Sequence, residues 1–317
     1  MPHPQIIVFG EALVDQFADH DVIGGAPCNV ARHLAALGLD PLFISAVGDD
    51  ALGAQLRADF ARFGLRSDGV VKVSGRPTGR VQVHAEAGGG HRFEILADQA
   101  YDHITASLPA DVAAACGRTG QLPWIYCGTL AQRNDASREA LLGLLHRLPH
   151  RAFVDINWRA GHVSPELVQA TIDRADALKL SAEELELVLG WQGLSSLHTR
   201  QRPRAGDHCA GVQALLGGGR ARVLLVTHGG DGFAYWDHEG RCQHAGAAST
   251  PARIADTVGA GDAFSSISLA GMVLGWPVED TLQRAAQFAA AICSLQGAVP
   301  ADMGFYAQWK RQWGLAS

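Results

Sequence analysis

Apolar residues fall in short runs between glycines, and their spacing switches between a strand-like and a helix-like period. Ile6–Phe9 reads as a buried strand ending at Gly10. Leu13–Phe17 alternates and places Asp15 between apolar neighbours. Pro27–Leu37 puts Val30, Leu34 and Leu37 on one helical face, and Gly38 is the stop. Leu42–Val47 then predicts a strand and Leu52–Phe63 a helix ending at Gly64. The chain thus opens with a βαβ rhythm.

The segment from Val70 to Ile95 breaks that rhythm. Its runs Val70–Val73, Gly79–Ala85 and His91–Ile95 are β-like and joined by Gly-rich turns. They predict a small antiparallel subdomain or lid; the plainer reading is a meander covering a core edge. After Pro109 the rhythm resumes, with strands over Trp124–Cys127, Ala152–Ile156, Ala177–Leu180 and Val223–Thr227. Helices are expected over Arg138–Leu148, Pro165–Ala175, Ala182–Leu189 and Gly206–Leu216. Trp191–Arg204 reads as a loop, and Phe233–Trp236 with Arg241–His244 as a late hairpin. Two final helices are expected over Ala263–Leu274 and Val278–Cys293. The sum is one α/β domain over 1–317 with a β-rich lid from about 12–23 and 70–98.

Composition narrows the class. With 317 residues, 47% hydrophobic and 18% charged, the chain is long and apolar enough for a substantial core, which excludes disorder. A net charge of -6 argues against a broad nucleic-acid-binding face. Met1–Glu11 has no basic segment followed by a long apolar run and cleavage site, so a soluble cytoplasmic protein is expected. Six cysteines without a CxxC pair suggest reduced thiols. The 14 histidines lack HExxH spacing, which leaves structural zinc unsupported.

The densest chemistry is Ala255–Phe264, ADTVGAGDAF. Gly259, Ala260 and Gly261 stand just before an expected helix, where backbone N–H groups can cradle an anion. Asp262 can cap that helix or act as a base. No Lys follows Gly261, so this is not a P-loop, and GxGxxG is absent. Val226–Gly232, VTHGGDG, leaves a strand; Thr227 and Gly229 are phosphate-side candidates, or simply a glycine turn. In Lys179–Glu184, KLSAEE, Ser181 and Glu184 have capping-box spacing.

Gly24–Gly38, GGAPCNVARHLAALG, and Asp256–Phe264, DTVGAGDAF, resemble the N- and C-terminal signatures of the ribokinase-like, or PfkB, carbohydrate kinases. Within that family, GEALVD at Gly10–Asp15, RFEILADQAYDHI at Arg92–Ile104 and DINWR at Asp155–Arg159 are most similar to bacterial fructokinases. DINWR is similar to 2-keto-3-deoxygluconate kinases too. The resemblance implies a three-layer sandwich with a central, mostly parallel sheet and a small β-rich lid. It implies ATP-dependent transfer to a sugar, D-fructose first, at its 6-hydroxyl. Asp15, Gly25 and Asn29 match sugar-contacting positions, Phe93 would close over the sugar, and Asn157 and Arg159 would face the cleft. Arg159 would contact sugar or the transferring phosphate, helping the Mg²⁺–phosphate assembly that stands in for the absent P-loop Lys.

Asp262 matches the general base, with Gly259, Ala260 and Gly261 as the anion hole. Ser181 and Glu184 match the NxxE motif with Ser in place of Asn, Glu184 organising Mg²⁺-bound water. Thr227, Gly229 and Gly232 match the nucleotide segment, and Asp256 a position near a monovalent-cation site that implies K⁺. The partners implied are sugar and ATP, not nucleic acid or membrane, and the lid offers an edge for a homodimer. The competing readings are a kinase for another sugar, 2-keto-3-deoxygluconate or a nucleoside, and a non-catalytic sugar-binding regulator.

Overall fold

The computed structural model describes residues 6–85, 91–105, 122–194, 201–249 and 253–315. The chain opens with β1 (Ile6–Phe9), β2 (Leu13–Gln16) and β3 (Asp21–Gly24). Helix α1 (Ala26–Ala36) starts where Pro27 occupies a first-turn position that needs no N–H. β4 (Leu42–Gly48) is buried throughout, as a central parallel strand must be. α2 (Ala51–Arg62) is capped by the Asp50 side chain, which accepts from the Gly53 N–H. β5 (Val70–Val73), β6 (Gly79–Ala85) and β7 (His91–Ile95) follow.

Further on come β8 (Trp124–Cys127), α3 (Asp135–Arg147), β9 (Arg151–Asp155) and α4 (Pro165–Ile172). β10 (Ala177–Ser181) runs directly into α5 (Ala182–Trp191). α6 (Ala210–Gly217), β11 (Val223–Thr227), β12 (Phe233–Asp237) and β13 (Cys242–Gly246) lead to α7 (Ala260–Leu274) and α8 (Val278–Cys293). The last described helix is α9 (Gly304–Trp313).

These elements form two compact units. The first holds residues 1–123, 131–149 and 299–317, and the second 124–130 and 150–298. The fold is mixed α/β, with a large, mostly parallel sheet and a smaller one, as expected. In the first unit β1, β4 and β5 run parallel, with Ile7 opposite Leu42 and Ser45 opposite Val70. The smaller sheet, also in this unit, has the order β3-β2-β6-β7. In the second unit β8, β9, β10 and β11 are parallel, and β12 and β13 complete the sheet antiparallel.

Four expectations need correction. β5 pairs with β4 in the parallel sheet, so 70–73 lies outside the small sheet assigned to the lid. That sheet is not purely antiparallel, because β2 pairs parallel with β6 while the other two pairings are antiparallel. α6 begins at Ala210 rather than Gly206, since Gly206 adopts a φ of 94° and His208 bridges to Arg241. α9 was not anticipated: Tyr306 accepts or donates a 2.9 Å hydrogen bond at His33 Nδ1 and meets Phe63 edge-on within the first unit. Residues 195–200 of the predicted loop from Trp191 to Arg204 lie outside the described residues. Among the described residues, no helix is long and apolar enough to cross a membrane.

Candidate functional site

In the first unit the candidate residues gather where β3 turns into α1. Gly25 has a φ of 100°, and a Cβ there would stand 2.7 Å from the Glu11 carbonyl oxygen. Only glycine fits that turn. A Cβ on the preceding Gly24 would meet Asp15 Oδ2 at 2.6 Å, so the Asp15 carboxylate on β2 lies against the same turn. Asn29 is one helical turn on. From its place inside a helix, residue reasoning without the family likeness suggests a solvated or capping residue; instead it is 5% exposed.

Its Oδ1 accepts a 2.7 Å hydrogen bond from Arg32 Nη2. Arg32, itself buried, also donates to the Ile23 carbonyl at 2.9 Å and pairs with Asp59 at 3.1 Å. Arg32 and Asp59 were missed. Their signal was an Arg on the apolar face of α1, which needs a buried anion to be stable there. Phe93 on β7 is 51% exposed, more than a packing residue of the small sheet would be.

In the second unit the parallel strands deliver their carboxyl ends together, where ligands bind in such sheets. Ser181, ending β10, is the register partner of Thr227, ending β11. Ser181 and Glu184 form the expected capping box: the Ser181 hydroxyl accepts the Glu184 N–H, and Glu184 Oε2 accepts the Ser181 N–H. Glu184 Oε1 accepts the Trp158 N–H at 2.8 Å. One carboxylate therefore ties α5 to the segment leaving β9. In that segment Asn157 takes a left-handed φ of 41°, which Asn tolerates better than most residues. Arg159 is exposed and makes no ion pair among the described residues.

The glycine turn before α7 differs in one respect from the sequence reading. The helix starts at Ala260, not Ala263, so Ala260, Gly261 and Asp262 form its first turn and Gly259 its N-cap. The Ala260 N–H already donates to the Thr257 carbonyl at 3.3 Å, and the Gly261 and Asp262 amides that follow have no preceding helical turn to bond. Gly259 has a φ of 79°, and a Cβ there would overlap the Cβ of Ala298. Asp256 shapes the approach: its carboxylate accepts the Val258 N–H at 3.0 Å and the Gly297 N–H at 3.1 Å. Gly232, with a φ of 117°, lies against the Gly246 carbonyl, where no side chain fits.

A cavity of about 290 Å³ unites several of these positions. Thr227, Gly229, Gly232, Ala260 and Gly261 line it, with Phe233, Phe264, Ala286, Ala289 and Ala290 as an apolar wall. Ser181, Glu184 and Arg159 are not among its lining residues.

The sequence reading also missed a charged cluster beneath this turn. Asp155 is 1% exposed; its Oδ2 accepts from Ser265 Oγ at 2.7 Å and its Oδ1 from Lys179 Nζ at 3.2 Å. Lys179 is 6% exposed, and a Cβ on Gly261 would stand 3.3 Å from its Nζ. Burial opposes the Lys179 charge, but Asp155, then Glu184 and Asp262, outweigh it and hold the ammonium above its ordinary pKa. A buried positive charge thus adjoins the Gly261 turn, on β10. Its signal was a Lys inside the apolar strand ALKLS facing an Asp ending AFVD.

Comparison with known proteins agrees with this architecture. A fructokinase of Klebsiella pneumoniae is 30% identical over 281 residues, covering 84% of each chain. A 5-dehydro-2-deoxygluconokinase of Geobacillus thermodenitrificans is 23% identical over 275 residues, covering 86% of this chain and 78% of the other. The solved structure of a Xylella fastidiosa fructokinase with bound ATP superposes with a TM-score of 0.76 at 22% identity, covering 98% of this chain and 99% of that one. The family model that matches, spanning residues 4–302, is that of the pfkB family carbohydrate kinases, and the chain belongs to that family.

Proposed function

We propose that this carbohydrate kinase is a fructokinase, transferring the γ-phosphate of ATP to the 6-hydroxyl of D-fructose. The observation that carries the reading is Asp262 in the first turn of α7, beside the cavity that Thr227, Gly229, Gly232, Ala260 and Gly261 line. The likeness to proteins named fructokinase, one of them solved with ATP, supports the choice of acceptor and donor.

In this reading Asp262 takes the proton from the attacking hydroxyl. The first-turn amides of α7, with Gly259, Ala260 and Gly261, stabilise charge on the transferring phosphoryl group. Asp15, Gly25 and Asn29 of the first unit bind the sugar hydroxyls, and Phe93 covers an apolar face. Asn157 and Arg159 supply further polar contacts. Thr227, Gly229 and Gly232 hold the nucleotide.

Glu184 fits Mg²⁺ held through water. Both its oxygens already accept a backbone N–H, yet each keeps a second lone pair. No cluster of three ligating side chains occurs among the described residues, which suits a cation bound mainly by waters and phosphates. When bound, Mg²⁺ would offset phosphate charge. Asp256 fixes the turn from 256 to 258 and the Gly297 amide, whose neighbouring carbonyls would hold K⁺. A homodimer would form through β3 or β7, the edges of the small sheet. A cytoplasmic setting completes the proposal.

A second reading, a kinase for a deoxy-keto sugar acid, is favoured by the relative named for 5-dehydro-2-deoxygluconate. A panel of ketoses, aldoses, sugar acids and nucleosides with ATP, Mg²⁺ and K⁺ separates the two. Fructose is expected to exceed every other acceptor in kcat/KM by about tenfold or more. A sugar acid at the head of the panel would replace fructose, and no turnover with any acceptor would leave a binding protein.

A further inference from the structure

Lys179 and Asp155 are register partners on adjacent parallel strands, with side chains on the same face of the sheet. A buried charge pair between two such strands is an expensive way to fill space, because well-packed apolar residues of similar volume serve as well or better. Its partners show what else it does. Asp155 accepts from Ser265, and Ser265 lies three residues after Asp262, on the same side of α7. Tyr126 on β8 adds a longer hydrogen bond to the same Asp155 oxygen, at 3.4 Å. The ammonium of Lys179, held by the other oxygen, lies against Gly261 and within electrostatic reach of Asp262 and Glu184. The pair thus grips the helix that carries the reacting groups and places a fixed positive charge beside them.

We propose that Asp155 and Lys179 are positioning residues for phosphoryl transfer. Asp155 anchors α7 through Ser265 and aims the Lys179 ammonium at the Gly261–Asp262 turn. This rests on the kinase reading above. The pair acts through the turn and through Asp262, and it leaves substrate recognition to other residues.

Three variants test it: Asp155→Asn, Lys179→Met and the double variant. Each is assayed with the best acceptor from the panel, alongside the thermal midpoint and the affinity for a fluorescent ATP analogue. Asp155→Asn keeps an acceptor for Ser265 but removes the charge that holds Lys179. It is expected to lower kcat about tenfold or more, while both KM values and the analogue affinity stay within about threefold. The double variant leaves no buried charge unpaired, so its thermal midpoint should return to near that of the parent. Its kcat should stay about tenfold or more down.

Recovery of both stability and kcat in the double variant would overturn the proposal, leaving the pair a packing device. A loss in KM or analogue affinity matching the loss in kcat would overturn it too. If no acceptor on the panel is turned over, the kinase reading fails on its own evidence. Positioning is then read from hydrogen exchange at residues 260–265 in Asp155→Asn. Faster exchange confined to that turn supports the anchor, and unchanged exchange overturns it.

Discussion

Around Asn29 a buried guanidinium is shared among one carboxylate, one amide oxygen and one backbone carbonyl. Around Asp262 a buried ammonium contacts one carboxylate and feels two more. The residue choice follows the task. Arg offers several donors in a fixed fork, so Arg32 holds Asn29, Ile23 and Asp59 in one geometry. Lys is a compact point charge, so Lys179 supplies field more than direction. The first unit presents groups at fixed angles, which suits the sugar recognition proposed for it. The second holds charge near a turn, which suits the phosphoryl transfer proposed there.

The sharpest way to break this contrast is Asp262→Asn. It is expected to lower kcat by about 10²- to 10⁴-fold, the usual worth of a general base, and to leave the sugar KM nearly unchanged. Single-turnover assays with the preferred sugar would show it, and near-normal turnover would remove Asp262 as the base. Asn29→Ala should show the opposite split, with the sugar KM raised about tenfold or more and kcat within about threefold. If it lowered kcat instead, the two regions would not divide the labour as described.

The smallest effect concerns acid stability. Burial works against ionising Asp50, but the Thr78 hydroxyl, the Thr78 N–H and the Gly53 N–H all bond its carboxylate and hold its pKa below the ordinary value. Its stabilisation is therefore complete above about pH 4, the unfolded pKa, and is lost as pH falls through the lower folded value. The gap in thermal midpoint between the parent and Asp50→Asn should be largest near pH 6 and shrink below about pH 4. A constant gap would mean that the carboxylate charge is not what holds this cap.

Most of the framework was legible because strands and helices impose different periods. β6, β7, β8, β11 and α8 begin and end where their apolar runs do. The start of α7 was not legible because Ala260–Gly261–Asp262 carries no apolar stripe. Its helical state is set by the left-handed Gly259 before it. α9 lacks a capping side chain, and only the buried stripe of Tyr306, Trp309 and Trp313 marks it. The site divides in the same way. Glycine turns and the capping box announce themselves through local rules, whereas the pairing of Asp155 with Lys179, and of Arg32 with Asp59, depends on strands and helices meeting in space. Charges inside apolar runs were the available clue.

Gly259 and Ala298 occupy what amounts to a single allowance of space. A Cβ at 259 would stand 2.3 Å from the Cβ of Ala298 and 2.5 Å from its Cα, so shrinking Ala298 to glycine would neither make room for a methyl group nor relieve the φ of 79°. Two separate locks thus guard the same position, one steric and one conformational. Because the steric lock includes the backbone of residue 298, a side-chain change there opens neither, and the turn that begins α7 has no easy mutational route to any other residue.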